Sequence, residues 1–406
     1  MSRLKVLMGV QRYGREISGG AEQLCRDYAT QLVSRGHAVD VVTTRALSYV
    51  DWADSYPEGL EDIDGVQVHR LSVARPRDHA VFAGLQSRVV AGTHAVPWYL
   101  QREWMRQQGP NVPELVPWLH SHAADYDVRV FFTYLYDTTW SGLPVAAHYG
   151  PTVFHPTAHD EPPFRLSLFE PLFRQADAFG FLTIEELNLV LRRFRLRPPH
   201  SLLGIGVEQD AQGDPESFSR RYGLEERPYL LYIGRIDPHK GSDELYDQFL
   251  AYKQRHPGPL ALVFLGPAIK ELPEHPDVIV TGHFEDQDRW DALAGCVAYV
   301  NPSYFESFSR TLTEAWALSR PALVQGHCAV LDGQARRSGG ALPYRGFGEF
   351  EAAVELITAD PSLGDRLGRS GRRFIETHYR WDEVTTRYER LLFRAATTRR
   401  RAASSG

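Results

Sequence analysis

Short apolar segments alternate with longer segments in which apolar residues recur at helical spacing along most of the chain. The first apolar segment, residues 4–10, is typical of a parallel strand that is buried on both faces. A glycine-containing loop follows at 14–20, and Leu24, Tyr28 and Leu32 then mark one face of a helix. The same alternation continues to the end of the chain and predicts the α/β class with parallel sheets.

The apolar segments predict strands at residues 4–10, 39–43, 66–71, 128–133, 152–155, 229–233, 260–265, 278–280, 298–300 and 322–324. Residues 75–116, which are rich in Trp, Gln and His, show no assignable pattern. Two prolines at 198 and 199 cannot continue a helix, so we place a domain boundary there, between a first domain 1–197 and a second domain 198–379. A last helix at about 380–393 is expected to pack back on the first domain, and the basic remainder, 394–406, is expected to be disordered.

Composition narrows the class of protein. With 406 residues, 43% hydrophobic and 24% charged, the chain is an ordinary globular protein of more than one domain. Its net charge of −6 argues against a general nucleic-acid binder. Cys25, Cys296 and Cys328 lie far apart, which disfavours a disulfide scaffold or a Cys-rich zinc site. With no apolar run near the ~20 residues of a membrane span and no signal-peptide pattern, a cytoplasmic protein is expected.

The first candidate site is the glycine loop, where Gly19 and Gly20 join a predicted strand to a predicted helix. Adjacent glycines allow a close approach of the backbone to a ligand, and the start of a helix offers free N–H groups to an anion. The spacing differs from the dinucleotide fingerprint G-x-G-x-x-G. A turn with no ligand explains the loop equally well.

The second candidate site follows the predicted strand 229–233, where Arg235 and Lys240 flank a turn that ends at Gly241. Open α/β sheets bind ligands at the carboxyl ends of their strands. Two cations there would neutralise a diphosphate, Arg as a fork and Lys as a point charge. For an arbitrary pair of cations, a solvated surface turn is the more common explanation.

The third candidate site lies between the predicted strand 298–300 and the helix after it. If that helix begins near Ser307, Glu306 lies at its N-terminal mouth and Glu314 about two turns inside. Carboxylates there can accept hydrogen bonds from sugar hydroxyls, and the N–H groups near 307–309 face an anion. A capping acid and a surface glutamate are the alternative.

The fourth candidate site directly follows strand 152–155 and contains His155, His159, Asp160 and Glu161. These groups could hold a reacting hydroxyl or a developing positive charge. Their spacing matches no recognised metal site. A hydrogen-bonded loop histidine is an equally good reading.

Taken in order, these segments resemble the family-4 retaining glycosyltransferases of the GT-B fold, and the resemblance covers roughly residues 1–393. The family's marks stand here as Gly19-Gly20-Ala21-Glu22, Gly204-Ile-Gly206-Val as the strand that opens the second domain, Gly234-Arg-Ile-Asp-Pro-His-Lys-Gly241, the turn at Gly282, and Glu306 with Glu314 in the spacing E-x7-E. The resemblance implies two Rossmann-like domains that face each other across a cleft. It places the acceptor in the first domain and a nucleotide-diphosphate sugar mainly in the second.

The resemblance also assigns roles to residues. The implied donor site consists of Gly19, Gly20, Arg235, Lys240, Glu306, Ser307, Phe308, Ser309 and Glu314. Arg235 and Lys240 would bind the diphosphate, Glu306 the hexose and Glu314 the ribose. His159 best fits the family's catalytic histidine, with His155 as a second candidate, and Glu306 is counted among the catalytic residues as well as the donor-binding ones.

The implied reaction moves a hexose from a UDP- or GDP-sugar to a hydroxyl acceptor with retention, without a metal or other cofactor. The acceptor would be a glycan, a lipid-linked sugar or a small molecule, and the leaving phosphate would accept its proton. The sequence departs from the family at Ser319-Arg320-Pro321, where a glycine usually precedes the proline by two residues, and in the segment 325–332. The departures leave the identity of the sugar open.

Three alternatives remain. An epimerase or phosphorylase-like enzyme would act on the nucleotide sugar itself, and a nucleotide-sugar-binding protein would bind it without turnover. A dinucleotide oxidoreductase is disfavoured, because Gln209 stands where the third glycine after Gly204 and Gly206 is required. Weak peripheral membrane contact is a separate prediction, which rests on a run of arginines among apolar residues: Arg192, Arg193, Arg195 and Arg197. A solvated helix face is the more usual interpretation of such a run.

Overall fold

The computed structural model describes residues 3–92, 95–225 and 227–403. It divides the chain into two compact units, the first formed by Met1–Leu203 together with Val384–Gly406 and the second by Gly204–Glu383. Each unit is built on a mainly parallel sheet covered by helices, which confirms the α/β prediction.

The sheet of unit 1 has eight strands: β1 Lys5–Gly9, β2 Ala38–Thr44, β3 Gly59–Ile63, β4 Val66–Leu71, β5 Val128–Phe132, β6 Thr152–His155, β7 Ala178–Phe181 and β8 His200–Leu202. Their order is β3-β4-β2-β1-β5-β6-β7-β8, and β3 pairs antiparallel to β4. The helices are α1 Gly20–Ser34, α2 His79–Ala91, α3 Trp98–Gln108, α4 Leu115–His122, α5 Asp137–Tyr149, α6 Glu170–Gln175 and α7 Ile184–Phe194. Strands β5 and β6 are buried along their whole length, as their apolar composition predicts.

The sheet of unit 2 has six strands: β9 Tyr229–Ile233, β10 Ala261–Leu265, β11 Val278–Val280, β12 Ala298–Asn301, β13 Ala322–Gln325 and β14 Ala341–Tyr344. The helices are α8 Pro215–Tyr222, α9 Ser242–Arg255, α10 Asp286–Gly295, α11 Arg310–Ala317, α12 Ala329–Ser338, α13 Phe347–Ala359 and α14 Pro361–His378. The strand order is β11-β10-β9-β12-β13-β14, so the chain reverses its direction of growth between β9 and β12. Ligands of open α/β sheets bind at the carboxyl ends of the strands that flank such a point.

The last helix, α15 Trp381–Ala403, belongs to unit 1 from Val384 onward. Its Tyr388 is fully buried, with its ring 4.4 Å from that of Tyr28 on α1. The next residue, Glu389, has its Oε1 3.0 Å from the Nε2 atom of His37. The helix continues to Ala403 where disorder is expected from residue 394, because two further alanines, at 395 and 396, extend its buried face. The end of the expected tail, 404–406, lies outside the described residues.

Several elements differ from the sequence-based expectations. Strands β3, β7, β8 and β14 are not among the predicted ones, and the unassigned residues 75–116 contain α2, α3 and the start of α4. The strand expected at 204–207 is absent from the described structure, because the Val207 N–H donates to the carbonyl of Tyr379 (2.8 Å) instead of to a neighbouring strand. In the described residues, that segment is therefore tied to the end of α14 and is not part of the sheet of unit 2.

Candidate active site

In unit 2, Arg235 and Lys240 follow the carboxyl end of β9. Asp237 accepts a hydrogen bond from the His239 N–H (3.0 Å) and so fixes the turn between them. The turn packs tightly on the segment after β12, since a Cβ atom at Gly241 would lie 2.4 Å from the carbonyl oxygen of Pro302. This close approach needs a glycine and brings Lys240 to the loop that carries Glu306.

Two of the predicted site residues form an ion pair. The Nζ of Lys240 lies 2.9 Å from Oε1 of Glu306, and their side chains are 38% and 18% exposed. Arg235 is 40% exposed and lies 3.8 Å from the carboxylate of Asp237. Two accessible cations, each beside a carboxylate, therefore lie on the turn that follows β9, and Lys240 links this turn to the loop that follows β12.

Helix α11 begins later than the sequence suggests. Its first residue is Arg310, and not a residue near Ser307, because Ser309 has φ +78° and interrupts the helical geometry. Residues other than glycine rarely adopt this backbone conformation, which costs about 1–3 kcal/mol and is found at functional sites. The Nδ2 of Asn301 at the end of β12 donates to the Oγ of Ser309 (2.9 Å) and holds it there.

The later start of α11 changes the position of the second glutamate. Glu314 is the fifth residue of the helix, about one turn inside instead of two, and is 5% exposed. Arg289 of α10 points its Nε at Oε2 of Glu314 from 3.5 Å. Of the residues between the two glutamates, Ser307 is half-buried, while Phe308 packs its ring on Tyr379. Phe308 can therefore contact a ligand through its backbone, but its side chain is already packed within the protein.

In unit 1, the glycine loop leads into α1 as expected. Gly19 is the N-cap of the helix and Gly20 its first residue. Beneath them, Arg12 and Glu22 form a buried ion pair with 2.6 Å between Nη2 and Oε1. A Cβ at Gly19 would lie 2.2 Å from Oε2 of Glu22, so this position has no space for a side chain.

His155 does not fit the catalytic role considered for it. It is the last residue of β6 and has no exposed surface. Its ring stacks on Phe132 at 4.8 Å and lies 5.3 Å from that of Tyr388. Burial lowers the pKa of His155 to about 3, so the imidazole stays neutral and belongs to the core.

His159, in contrast, is partly accessible, with 28% of its side chain exposed. Its Nδ1 lies 3.4 Å from Oε1 of Glu161, which also accepts a hydrogen bond from the Tyr134 hydroxyl (2.5 Å). The loop that carries His159 is bound to Glu186 of α7, whose Oε1 accepts from the N–H of Ala158 at 2.8 Å. Burial raises the pKa of Glu186 to about 8, although its backbone N–H partners act in the opposite direction.

A cavity of about 710 Å³ lies in unit 1 beside this loop. Asp160, the neighbour of His159, is part of its wall together with Arg165 and Arg193. Each arginine is paired with a carboxylate, Arg165 with Asp160 at 3.0 Å and Arg193 with Glu170 at 3.3 Å. The wall therefore mixes polar and apolar side chains, and its arginines are already paired with carboxylates.

The arginine run on α7 has the contacts of an ordinary surface helix. Its apolar neighbours, including Phe194, pack against the core of unit 1, while Arg192, Arg195 and Arg197 are exposed. Membrane contact stays a prediction. Within the described residues, no helix is long and apolar enough to cross a membrane, and no group of three or more His, Cys, Asp or Glu side chains could hold a metal ion.

Sequence reasoning did not select Arg12, Arg289 or Glu186. Arg12 and Arg289 stand in no motif, so nothing in one sequence marks them. Glu186 does have a signal, because Thr183-Ile-Glu-Glu186 has the spacing T-x-x-E of a capping box. Thr183 caps α7 as that pattern predicts, accepting from the Glu186 N–H at 3.2 Å.

Comparison with known proteins finds a family match for the part of unit 2 that carries this geometry. Residues 227–355, which include Arg235, Lys240, Glu306 and Glu314, match the family described as glycosyl transferases group 1. A glycogen synthase of Mycobacterium tuberculosis is 24% identical over 416 residues, which cover 94% of this chain and 93% of that protein.

Solved structures show the fold. A sucrose-phosphate synthase from Thermosynechococcus elongatus has a TM-score of 0.72 at 16% identity, with 100% of both chains covered. Anabaena HepE in complex with UDP and glucose has a TM-score of 0.68 at 14% identity, with 96% of this chain and 99% of that chain covered. Both are GT-B proteins, and this fold agrees with the two parallel-sheet units described above. The chain thus has the GT-B fold, and within it residues 227–355 match the group 1 glycosyl transferases.

Proposed function

We propose that this protein transfers a hexose from a UDP- or GDP-sugar to a hydroxyl acceptor with retention of configuration and without a metal, as family-4 enzymes do. Unit 2 binds the donor and unit 1 the acceptor. The observation that carries the proposal is the Lys240–Glu306 ion pair, with Arg235 at the start of the same turn, at the reversal point of the unit 2 sheet. HepE, with its bound UDP and glucose, supports a nucleotide-sugar donor.

Each group at this point has a task in the reaction. Arg235 and Lys240 bind the diphosphate, and the N–H groups at the start of α11 add partial positive charge. When Lys240 turns to a phosphate, Glu306 becomes available to a hydroxyl of the hexose. Glu314, one turn into α11, accepts from the ribose hydroxyls.

The transfer breaks the bond between the anomeric carbon and the diphosphate oxygen, and forms a bond from that carbon to the acceptor oxygen on the same face. The diphosphate leaves with the bonding electron pair, and its oxygen takes the acceptor proton. Fixed positive groups at the leaving oxygens lower the barrier by electrostatic stabilisation, so the protein itself needs no metal for this step.

Unit 1 offers the acceptor a place beside His159. The cavity next to it combines carboxylates and guanidinium groups that are already paired, together with the apolar side chain of Leu189. Such a wall suits a neutral polyhydroxylated acceptor better than a strongly charged one, because it has hydrogen-bonding groups of both kinds and its arginines are already paired with carboxylates. His159 is the residue that we expect to lie closest to the reacting carbon.

Calorimetric titration with UDP and with GDP, in buffer containing EDTA, tests the donor site. We expect one nucleotide to bind, and Arg235→Ala or Lys240→Ala to weaken that binding about 10- to 100-fold. If neither nucleotide binds the intact protein, the diphosphate assignment is wrong. Once the donor is known, NMR of the anomeric proton of the product decides between retention and inversion.

A further inference from the structure

Glu186 is a buried carboxyl group outside the residues that the reaction requires. It is the third residue of α7 and is 1% exposed. Its Oε1 accepts from the Ala158 N–H at 2.8 Å, and its Oε2 accepts from the Leu182 N–H at 2.7 Å. Ala158 follows β6 and Leu182 follows β7, so one side chain ties together the chain segments that leave two neighbouring strands.

The segment that Glu186 binds after β6 has an unusual conformation. Thr157 has φ +48°, a left-handed geometry that β-branched residues rarely adopt. Ala158 is 1% exposed, and His159 directly follows it. The Glu186 contact therefore fixes the peptide immediately before the histidine, and so the direction in which the imidazole leaves the loop.

Helix formation alone does not explain this glutamate. Thr183 already caps α7 through its hydroxyl oxygen, which accepts from the Glu186 N–H at 3.2 Å. Burying a carboxyl group to 1% exposure costs free energy unless hydrogen bonds within the protein compensate for the lost hydration. Its bond to the Ala158 N–H crosses to the His159 loop, 28 residues away in sequence, and the Thr157 N–H of that loop is a further partner of the carboxyl group.

We propose that Glu186 is a positioning residue, which holds the loop 157–160 so that His159 and the Asp160 edge of the cavity have the geometry that transfer requires. The proposal rests on the role proposed above for His159. Its action is indirect: Glu186 contacts the backbone of the loop and no reacting atom.

The pair Glu186→Gln and Thr183→Ala separates positioning from stability. Gln has nearly the shape of Glu, but it replaces one acceptor oxygen by an NH₂ group, which cannot accept from a backbone N–H. Thr183→Ala weakens the start of the same helix but leaves the Glu186 carboxyl group in place. Both variants lower stability, whereas only Glu186→Gln disturbs the loop.

NMR of the histidine side chains in the full-length protein measures the position of the loop without any ligand. The Cε1–H signal of His159 is identified by its loss in His159→Asn. We expect this signal to shift or broaden in Glu186→Gln and to stay in place in Thr183→Ala. An unchanged His159 signal in Glu186→Gln, or an equal shift in both variants, overturns the proposal.

Kinetics with the donor identified by calorimetry gives a second measurement. We expect Glu186→Gln to lower kcat about 10- to 100-fold, the scale of a misplaced reacting group, and to leave nucleotide affinity within about twofold. Thr183→Ala should keep kcat within about twofold of the parent. Loss of nucleotide affinity in Glu186→Gln would indicate general damage and contradict positioning.

The two proposals can fail separately. If no nucleotide binds, the proposed function fails, while the His159 signal still reports whether Glu186 holds the loop. If circular dichroism shows that Glu186→Gln is unfolded, Glu186→Asp replaces it, because Asp keeps both oxygens but is one methylene too short to reach both N–H groups. The same signal and the same kcat then decide the outcome.

Discussion

Alanine at Gly19 should destabilise the protein strongly, although the substitution adds one methyl group at a half-buried position. That methyl group would lie 2.2 Å from Oε2 and 2.7 Å from Cδ of Glu22, and 3.0 Å from Nη2 of Arg12. Carbon and oxygen atoms cannot approach so closely, so the carboxylate must move away. The movement breaks the bonds of 2.6 and 2.8 Å by which Arg12 holds Glu22.

The cost follows from the burial of this ion pair. The side chains of Arg12 and Glu22 are 9% and 5% exposed, so water cannot replace the lost contacts. Removing one partner of a buried pair costs about 3–5 kcal/mol, and for a displaced pair we expect roughly 2–4 kcal/mol. For a unit of this size, that loss lowers Tm by roughly 4–16 °C.

Gly20→Ala is the matched control. A Cβ at Gly20 would meet no atom within 4 Å in the described part of the chain, and the residue begins α1. Alanine should therefore be neutral or stabilise by up to about 1 kcal/mol. Thermal unfolding of both variants, followed by tryptophan fluorescence, makes the comparison. Equal Tm values for the two variants would refute the argument, because only the Gly19 methyl group has no space.

Three further predictions concern other parts of the molecule. Lys240→Met should weaken nucleotide binding about 10- to 100-fold in calorimetry, which is the value of one charge-assisted hydrogen bond. Adding Glu306→Gln to this variant should restore part of the affinity, because it removes the carboxylate that has lost its partner Lys240. If Glu306→Gln has the same effect with and without Lys240, the two residues are not coupled. Ser319→Gly should raise stability by about 0.5–1 kcal/mol in denaturant titration, because Ser319 has φ +55°, which glycine adopts without strain; a loss of stability would contradict this. The folded protein keeps His155 neutral down to about pH 3, whereas the unfolded chain protonates it near pH 6.5. The free energy of unfolding should therefore fall below pH 6.5 by about 1.4 kcal/mol per pH unit, and His155→Phe should remove this part of the acid sensitivity. An unchanged pH profile in that variant would mean that the sensitivity comes from other groups.

The sequence predicted most inner strands of both sheets because they are short apolar runs, buried on both faces, but it missed the inner strand β7, which is also fully buried. Strand β6 at 152–155 and strand β9 at 229–233 have the predicted bounds. Edge strands carry less of this signal. β3 has four exposed residues out of five, and β8 consists of three residues, none of them fully buried. Their place in the sheet depends on pairing with a neighbour, which one sequence does not show.

Within the candidate site, the motifs predicted which residues take part better than they predicted the local geometry of those residues. The Lys240 turn and the Glu306 loop were both identified, but nothing in the sequence shows that the two side chains would pair. The start of α11 was placed too early because Ser309 is unremarkable as a residue type, and its φ of +78° depends on the contact with Asn301. His155 and His159 lie four positions apart in the sequence. In the structure, His155 is a core residue because its ring packs between strands and α15, whereas His159 is accessible.

The return of α15 to unit 1 has a consequence for synthesis on the ribosome. Residues of unit 2 are contiguous, so this unit can fold as soon as residue 383 has left the exit tunnel. Unit 1 starts to form earlier, but Tyr28 and His37 wait for Tyr388 and Glu389, the latter pair 352 residues apart. During most of translation, the α1 face of the nascent unit 1 is therefore uncovered, and a chain released after residue 383 would have all of unit 2 but an unfinished unit 1.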